Sequence, residues 1–130
     1  MYPLTIGFAI ENRELWEQTQ ACLASMPFRV TVEHQDLGDL STFLDRLERV
    51  RPDVVLVDIS HWSEPLEVLV SAIRNVTGDA MVVALNTNAD AGIILSAMRA
   101  GVNEYIYPPL GEPLRRALEK RSVERGRRRD

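Results

Sequence analysis

At 130 residues and 14.7 kDa, with 45% hydrophobic residues, the chain fits one domain able to bury its own core. The formal charge of −4 is uneven: residues 119–130 hold six Lys/Arg against three Asp/Glu, which leaves nine against sixteen, or −7, in residues 1–118. An acidic body argues against sequence-independent nucleic-acid binding, and the single cysteine, Cys22, excludes an internal disulfide and any multi-cysteine metal site.

No apolar run is long enough for a signal peptide or a membrane span, so a soluble, cytoplasmic protein is expected. In chain order, Leu4–Ile10 is a short apolar run, and Asn12 is placed to cap a helix whose one face carries Leu15, Trp16, Thr19, Cys22, Leu23 and Met26. Phe28, Val30 and Val32 alternate with Arg29, Thr31 and Glu33 at strand period. Leu40, Phe43, Leu44, Leu47 and Val50 then return at helical spacing.

Pro52 stops that helix, and Val54–Val57 is a continuous β-branched and aliphatic run ending at Asp58, the pattern of a strand buried on both faces. Ser63 or Glu64 is expected to open a third helix, broken at Gly78-Asp79. Met81–Leu85 reads as another doubly buried strand. A fourth helix carrying Ile93, Ile94, Ala97 and Met98 stops at Gly101. Asn103–Tyr107 reads as the fifth strand, ended by Pro108-Pro109, and Leu110, Leu114, Ala117 and Leu118 mark a last amphipathic helix. Residues 119–130 are expected to be a basic helix end and then a solvated tail or linker.

Strict strand–helix alternation predicts an α/β fold, a five-stranded parallel sheet with helices on both faces. In such sheets ligands gather beyond the carboxyl ends of the strands. Four segments meet there: Ile10-Glu11-Asn12, Asp58-Ile59-Ser60-His61, Asn86-Thr87-Asn88 and Tyr107-Pro108-Pro109-Leu110.

Pro52-Asp53-Val54-Val55-Leu56-Val57-Asp58 resembles the third strand of response-regulator receiver (CheY-like) domains, and Ala100–Ile106 resembles the approach to their fifth strand. The resemblance runs from about Leu4 to about Leu118 and implies a flavodoxin-like sheet of strand order 2-1-3-4-5. It places Asp58 at the phosphoacceptor position. Two acids after the first strand would hold Mg²⁺ in that family, and Ile10 and Glu11 stand there. A hydroxyl residue that usually ends the fourth strand is replaced by Asn86, followed by Thr87, and a lysine by Pro108.

Those replacements set the functional expectation. Mg²⁺ demands hard oxygen ligands, and phosphoryl transfer needs metal and ammonium charge; losing one positioned electrostatic donor costs roughly 3 kcal/mol of transition-state stabilisation. The chain is therefore expected to be a non-enzymatic pseudo-receiver without a cofactor, Asp58 being a strand-end carboxylate that accepts loop amides. The alternative is a phosphate-accepting receiver with Asp58 as nucleophile and Glu11 and Asp58 as weak Mg²⁺ ligands. A third possibility is a small enzyme or ligand binder of flavodoxin-like shape, which needs a deep polar pocket.

Short motifs, Asp58 after a VVLVD strand and a bare proline after the fifth, are similar to the amino-terminal domains of CpaE/TadZ-type pilus-assembly proteins. There a receiver-like module precedes a MinD/ParA-like ATPase, so the resemblance implies an attached ATPase or another protein as partner. Tyr105, Tyr107, Pro109 and Leu110 lie near the fourth helix, fifth strand and fifth helix, the face that receivers commonly use for dimers. His61 and Trp62 are a candidate partner anchor or a loop folded on its own surface, Cys22 is expected in the core, and His34 has no assigned role.

Overall fold

The computed structural model describes residues 1–129, with the side chain of Arg129 excepted. Five strands and five helices alternate: β1 Thr5–Ala9, α1 Arg13–Ala24, β2 Arg29–His34, α2 Leu40–Val50, β3 Val54–Asp58, α3 Leu66–Thr77, β4 Met81–Leu85, α4 Ala91–Arg99, β5 Glu104–Ile106 and α5 Gly111–Arg129. The strands form one sheet of order β2-β1-β3-β4-β5, parallel throughout. This is the parallel α/β sheet expected from the alternating pattern, in the flavodoxin-like strand order that the receiver resemblance implies.

The side-chain period of two sorts β3 between two cores. Val54 and Leu56 join Leu15, Leu23, Leu114 and Leu118 of α1 and α5, whereas Val55 and Val57 join Phe43, Leu47, Leu69, Ile73 and Ala97 of α2, α3 and α4. Every residue of β3 and of β4 is buried, as a strand covered on both faces requires. Each large aliphatic side chain so buried contributes about 1.5–3 kcal/mol of transfer free energy.

Three local differences from the sequence reading have physical reasons. Asn12 caps α1 as expected, its Oδ1 accepting the Leu15 N–H at 3.0 Å, but α3 begins at Leu66, because Pro65 at the capping position holds an extended ψ of 138°. β5 is shorter than Asn103–Tyr107, since the Asn103 side chain takes over one rung of the ladder: its Oδ1 accepts the Val82 N–H at 2.8 Å while its own N–H donates to Val82 O at 2.9 Å. Arg74 of α3 clamps the same place, donating to Asn103 Oδ1 at 2.6 Å and to Gly101 O at 2.7 Å. Gly101 sits at φ 97°, a left-handed conformation that a Cβ would strain.

The third difference is at the carboxyl end. The stretch expected to be a basic helix end and solvated tail is helical through Arg129, and its early turns are packed; Asp130 lies outside the described residues. Ser122 is fully buried and donates to Tyr2 O at 2.7 Å. Arg125, its side chain 17% exposed, binds Asp79 through both terminal nitrogens at 3.2 and 3.0 Å and lies 3.4 Å from Asp53. Arg121 donates to Asp79 O, and Arg128 reaches the Asp79 carboxylate at 2.7 Å. Ionic contacts therefore do for these turns what apolar residues do for the rest of α5. Among the described residues no helix is long and apolar enough to cross a membrane.

Candidate functional site

The carboxyl ends of β1, β3, β4 and β5 bring the four expected segments to one edge of the sheet. Asp58 ends β3 there, 5% exposed. Both of its oxygens are committed. Oδ2 accepts the backbone N–H groups of Glu11 at 3.0 Å and Asn12 at 2.8 Å, and Oδ1 accepts the Ser60 N–H at 2.9 Å and the Ser60 hydroxyl at 2.6 Å. The carboxylate thus ties the β1–α1 loop to the loop following β3 and replaces the water that a buried anion would otherwise lack.

The residues around it complete the picture. Ile10 is buried at 3% exposure and supplies no ligand. The Glu11 carboxylate pairs with His61 Nδ1 at 2.9 Å, and Ser60 Oγ lies 3.3 Å from the same nitrogen. Asn86 is buried, its Oδ1 closing on the Thr87 N–H at 2.7 Å, and Thr87 is exposed. Pro108 is half-buried, and the Pro108-Pro109 bond is cis.

A cleft of about 450 Å³ opens beside Asp58 between these loops, lined by Glu11, Asp36, Leu37, Trp62 and Glu64 among others. Four carboxylates border it, counting Asp58, and no lysine or arginine does. His61, paired with Glu11, is the one basic side chain in its wall, so the permanently charged ammonium that phosphoryl transfer uses has no counterpart in this lining.

Of the expected interaction residues, Tyr107 is exposed and Tyr105 is half-buried, its hydroxyl donating to Asn88 O at 2.9 Å. Desolvation raises the Tyr105 phenol above its ordinary pKa, a hydrogen bond with Asn86 opposing it. Leu110 does not belong to that surface: it is fully buried among α1 and α5 side chains, with its N–H held by Gln18 Oε1 at 2.7 Å. Trp62 folds back onto its own loop, half-buried, with its indole N–H directed to Pro65 O at 3.4 Å. Cys22 is in the core as expected, and burial pushes its thiol pKa up.

Similar solved structures share this framework. The receiver domain of AraT, a response regulator from Geobacillus stearothermophilus, superimposes with a TM-score of 0.78 at 18% identity, covering 98% of each chain. The fold is that of a response-regulator receiver domain. The receiver domain of a Pseudomonas aeruginosa sensor histidine kinase, solved with magnesium in its active-site cleft, is 25% identical at a TM-score of 0.73 over 93% of this chain and 98% of its own. A pilus assembly-related protein from Burkholderia pseudomallei is 20% identical at 0.73, over 92% of this chain and 90% of its own. No protein-family model and no curated protein sequence matches the chain.

A receiver implies a magnesium site, and this donor set does not fit one. The position of one metal carboxylate is taken by the buried Ile10, the Asp58 oxygens are saturated by four protein donors, and Glu11 turns to His61. Among the described residues no three His, Cys, Asp or Glu side chains converge as a metal cluster. Asp58 accepts loop amides as expected, but which amides, and the part of Ser60, are what sequence reasoning left unassigned here. The serine two residues after a strand-end aspartate is a legible turn signal, since a carboxylate commonly accepts the N–H two residues on; the amides of Glu11 and Asn12 belong to the fold and leave no mark in residue identity.

Proposed function

We propose that the chain is a pseudo-receiver: a non-catalytic protein-interaction module that uses the receiver scaffold without its phosphorylation chemistry. The observation that carries this reading is the fourfold satisfaction of the Asp58 carboxylate by Glu11, Asn12 and Ser60. Attack on a phosphoryl group needs a free lone pair on that carboxylate and a cation beside it. Here the lone pairs hold two loops together, and no lysine or arginine lines the adjoining cleft.

The likeness to pilus-assembly proteins from two Burkholderia species supports a place for this module in such a protein; a MinD/ParA-like ATPase following it in the cytoplasm is the arrangement that the CpaE/TadZ resemblance implies. Its output is then contact with another protein, through the surface of α4, β5 and α5, including Tyr107. The acidic balance of residues 1–118 makes nucleic acid a poor partner.

Intact-mass analysis after incubation with Mg²⁺ and acetyl phosphate, beside Asp58→Asn, tests the reading. An unchanged mass is expected. A phosphoryl mass gain that disappears in Asp58→Asn would overturn it and make the chain a phosphate-accepting receiver.

A further inference from the structure

β2 and β5 are the two edges of the sheet, and the surface beside β2 carries features that neither the core nor the Asp58 tie uses. Between β2 and α2 lies a groove of about 370 Å³, lined by Thr31, Val32 and Glu33 of the strand and by Arg46, Arg49 and Val50 of the helix. Arg46 and Arg49, three residues apart, are neighbours on one face of α2. Arg46 donates to Glu33 O at 3.0 Å, and neither arginine has an ion pair among the described residues. Glu33 is the groove's one carboxylate against two guanidinium groups, so its lining is positive on a body whose balance is −7. Val50, 46% exposed, adds an apolar surface.

Arg51, which closes α2, is the one residue other than glycine with a left-handed φ, 42°, among the described residues. Helices commonly end on a left-handed residue, but glycine takes that place at least cost, and a residue that precedes proline is restricted further. Arg49 already sets a positive charge against the helix dipole in the last turn. Arg51 is exposed and without an ion pair among the described residues, so no charge contact within the chain offsets the strain.

The backbone edge of β2 is closed to an added strand. Its register with β1 jumps from Ile6–Val30 to Gly7–Val32, which leaves Thr31 as a bulge residue, and Arg46 occupies Glu33 O. A partner must therefore use side chains, and paired guanidinium groups favour carboxylates, which they grip bidentately. In an extended segment alternate side chains share a face about 6.6–6.8 Å apart, close to the roughly 5–6 Å between Cβ atoms three apart on a helix. Acidic residues two apart thus match Arg46 and Arg49, and an aliphatic residue two further on meets Val50. A nucleic acid or an anionic membrane would instead set a large negative surface against the whole acidic body. We propose that the groove between β2 and α2 docks an extended acidic segment of a partner protein, its carboxylates held by Arg46 and Arg49, with Arg51 extending the positive surface at the end of α2. The proposal rests on the reading of the domain as an interaction module and gives it a second contact surface, at the sheet edge opposite β5. Only a few exposed charges are engaged, so binding is weak and salt-sensitive.

The probe is a heptapeptide blocked at both ends, with glutamate at its second and fourth positions, leucine at its sixth and serine elsewhere. Titrated into the isotope-labelled chain at low salt, it should shift amide signals of residues 29–33 and 46–51. Arg49→Glu, a change at an exposed site, should weaken binding at least tenfold with the circular dichroism unchanged, and glutamine in place of the peptide's glutamates should do the same. Arg51→Gly should raise the thermal midpoint, by relieving the left-handed strain, and yet weaken the peptide; a residue that only caps the helix would give the first effect without the second, and unchanged affinity would overturn the part given to Arg51. No shift at millimolar peptide, equal binding of the glutamine peptide, or indifference to Arg49→Glu would overturn the inference. So would phosphatidylglycerol vesicles or a single-stranded oligonucleotide binding through these arginines while the peptide stays inert. An inert peptide leaves the interaction-module reading standing, whereas phosphorylation of Asp58 would sink that reading whatever the peptide does.

Discussion

The Asp58 carboxylate accepts the backbone N–H of Asn12 at 2.8 Å, and Asn12 in turn caps α1 through the Leu15 N–H at 3.0 Å. One strand end thereby fixes the start of the first helix. Asn12→Ala keeps the backbone bond to Asp58 but removes the cap, and a loss of about 1 kcal/mol in urea-induced unfolding is expected. Asn12→Asp, which keeps a capping oxygen yet sets a second carboxylate near Asp58, should lose stability through repulsion of like charges.

Asp79 anchors the end of α5. Hydrogen bonding from Arg125, then from Arg128, holds its carboxyl below the usual range, against the opposing effect of desolvation. A carboxyl that binds protons less readily in the folded state stabilises fully above its unfolded pKa, near about 3.9, and that contribution is lost as the pH falls through the depressed folded value. With the side chain 55% exposed, solvent screening keeps the effect below about 1 kcal/mol and makes it salt-sensitive. Asp79→Asn should lower stability at neutral pH, show a smaller deficit under acid conditions, and speed amide exchange in residues 121–129.

Asn103 gives a sharper contrast, because its Oδ1 serves both Val82 N–H and Arg74. Asn103→Ala leaves the N–H of the buried Val82 unpaired and should cost about 1–3 kcal/mol. Asn103→Asp keeps the acceptor and adds an ion pair with Arg74, so thermal unfolding near that of the wild type is expected.

Much of the fold was legible because it rests on local signals. The Val54–Val57 and Met81–Leu85 runs are buried throughout, and the helical spacing of Phe43 and Leu47 or Leu114 and Leu118 marks inward faces. What escaped depends on partners far along the chain. The turns after Leu118 hold few apolar residues and read as tail, yet Arg125 finds Asp79 and Asp53, 46 and 72 positions away. Leu110 follows two prolines and looked like surface, but the chain turns it into the α1–α5 core. At the candidate site, the losses at Ile10 and Pro108 were readable from residue identity. The donors that occupy Asp58 were not, since three of the four are backbone amides.

The central claim, that Asp58 serves as a structural tie, is tested most directly by equilibrium unfolding of Asp58→Asn beside the wild type. An asparagine offers one acceptor oxygen where the carboxylate offers two, and it turns an amide N–H₂ toward the donors of Ser60 or of Glu11 and Asn12. A loss of about 2–3 kcal/mol at neutral pH is predicted. Unchanged or increased stability would contradict the account, for it would mean that the carboxylate is not what holds these loops.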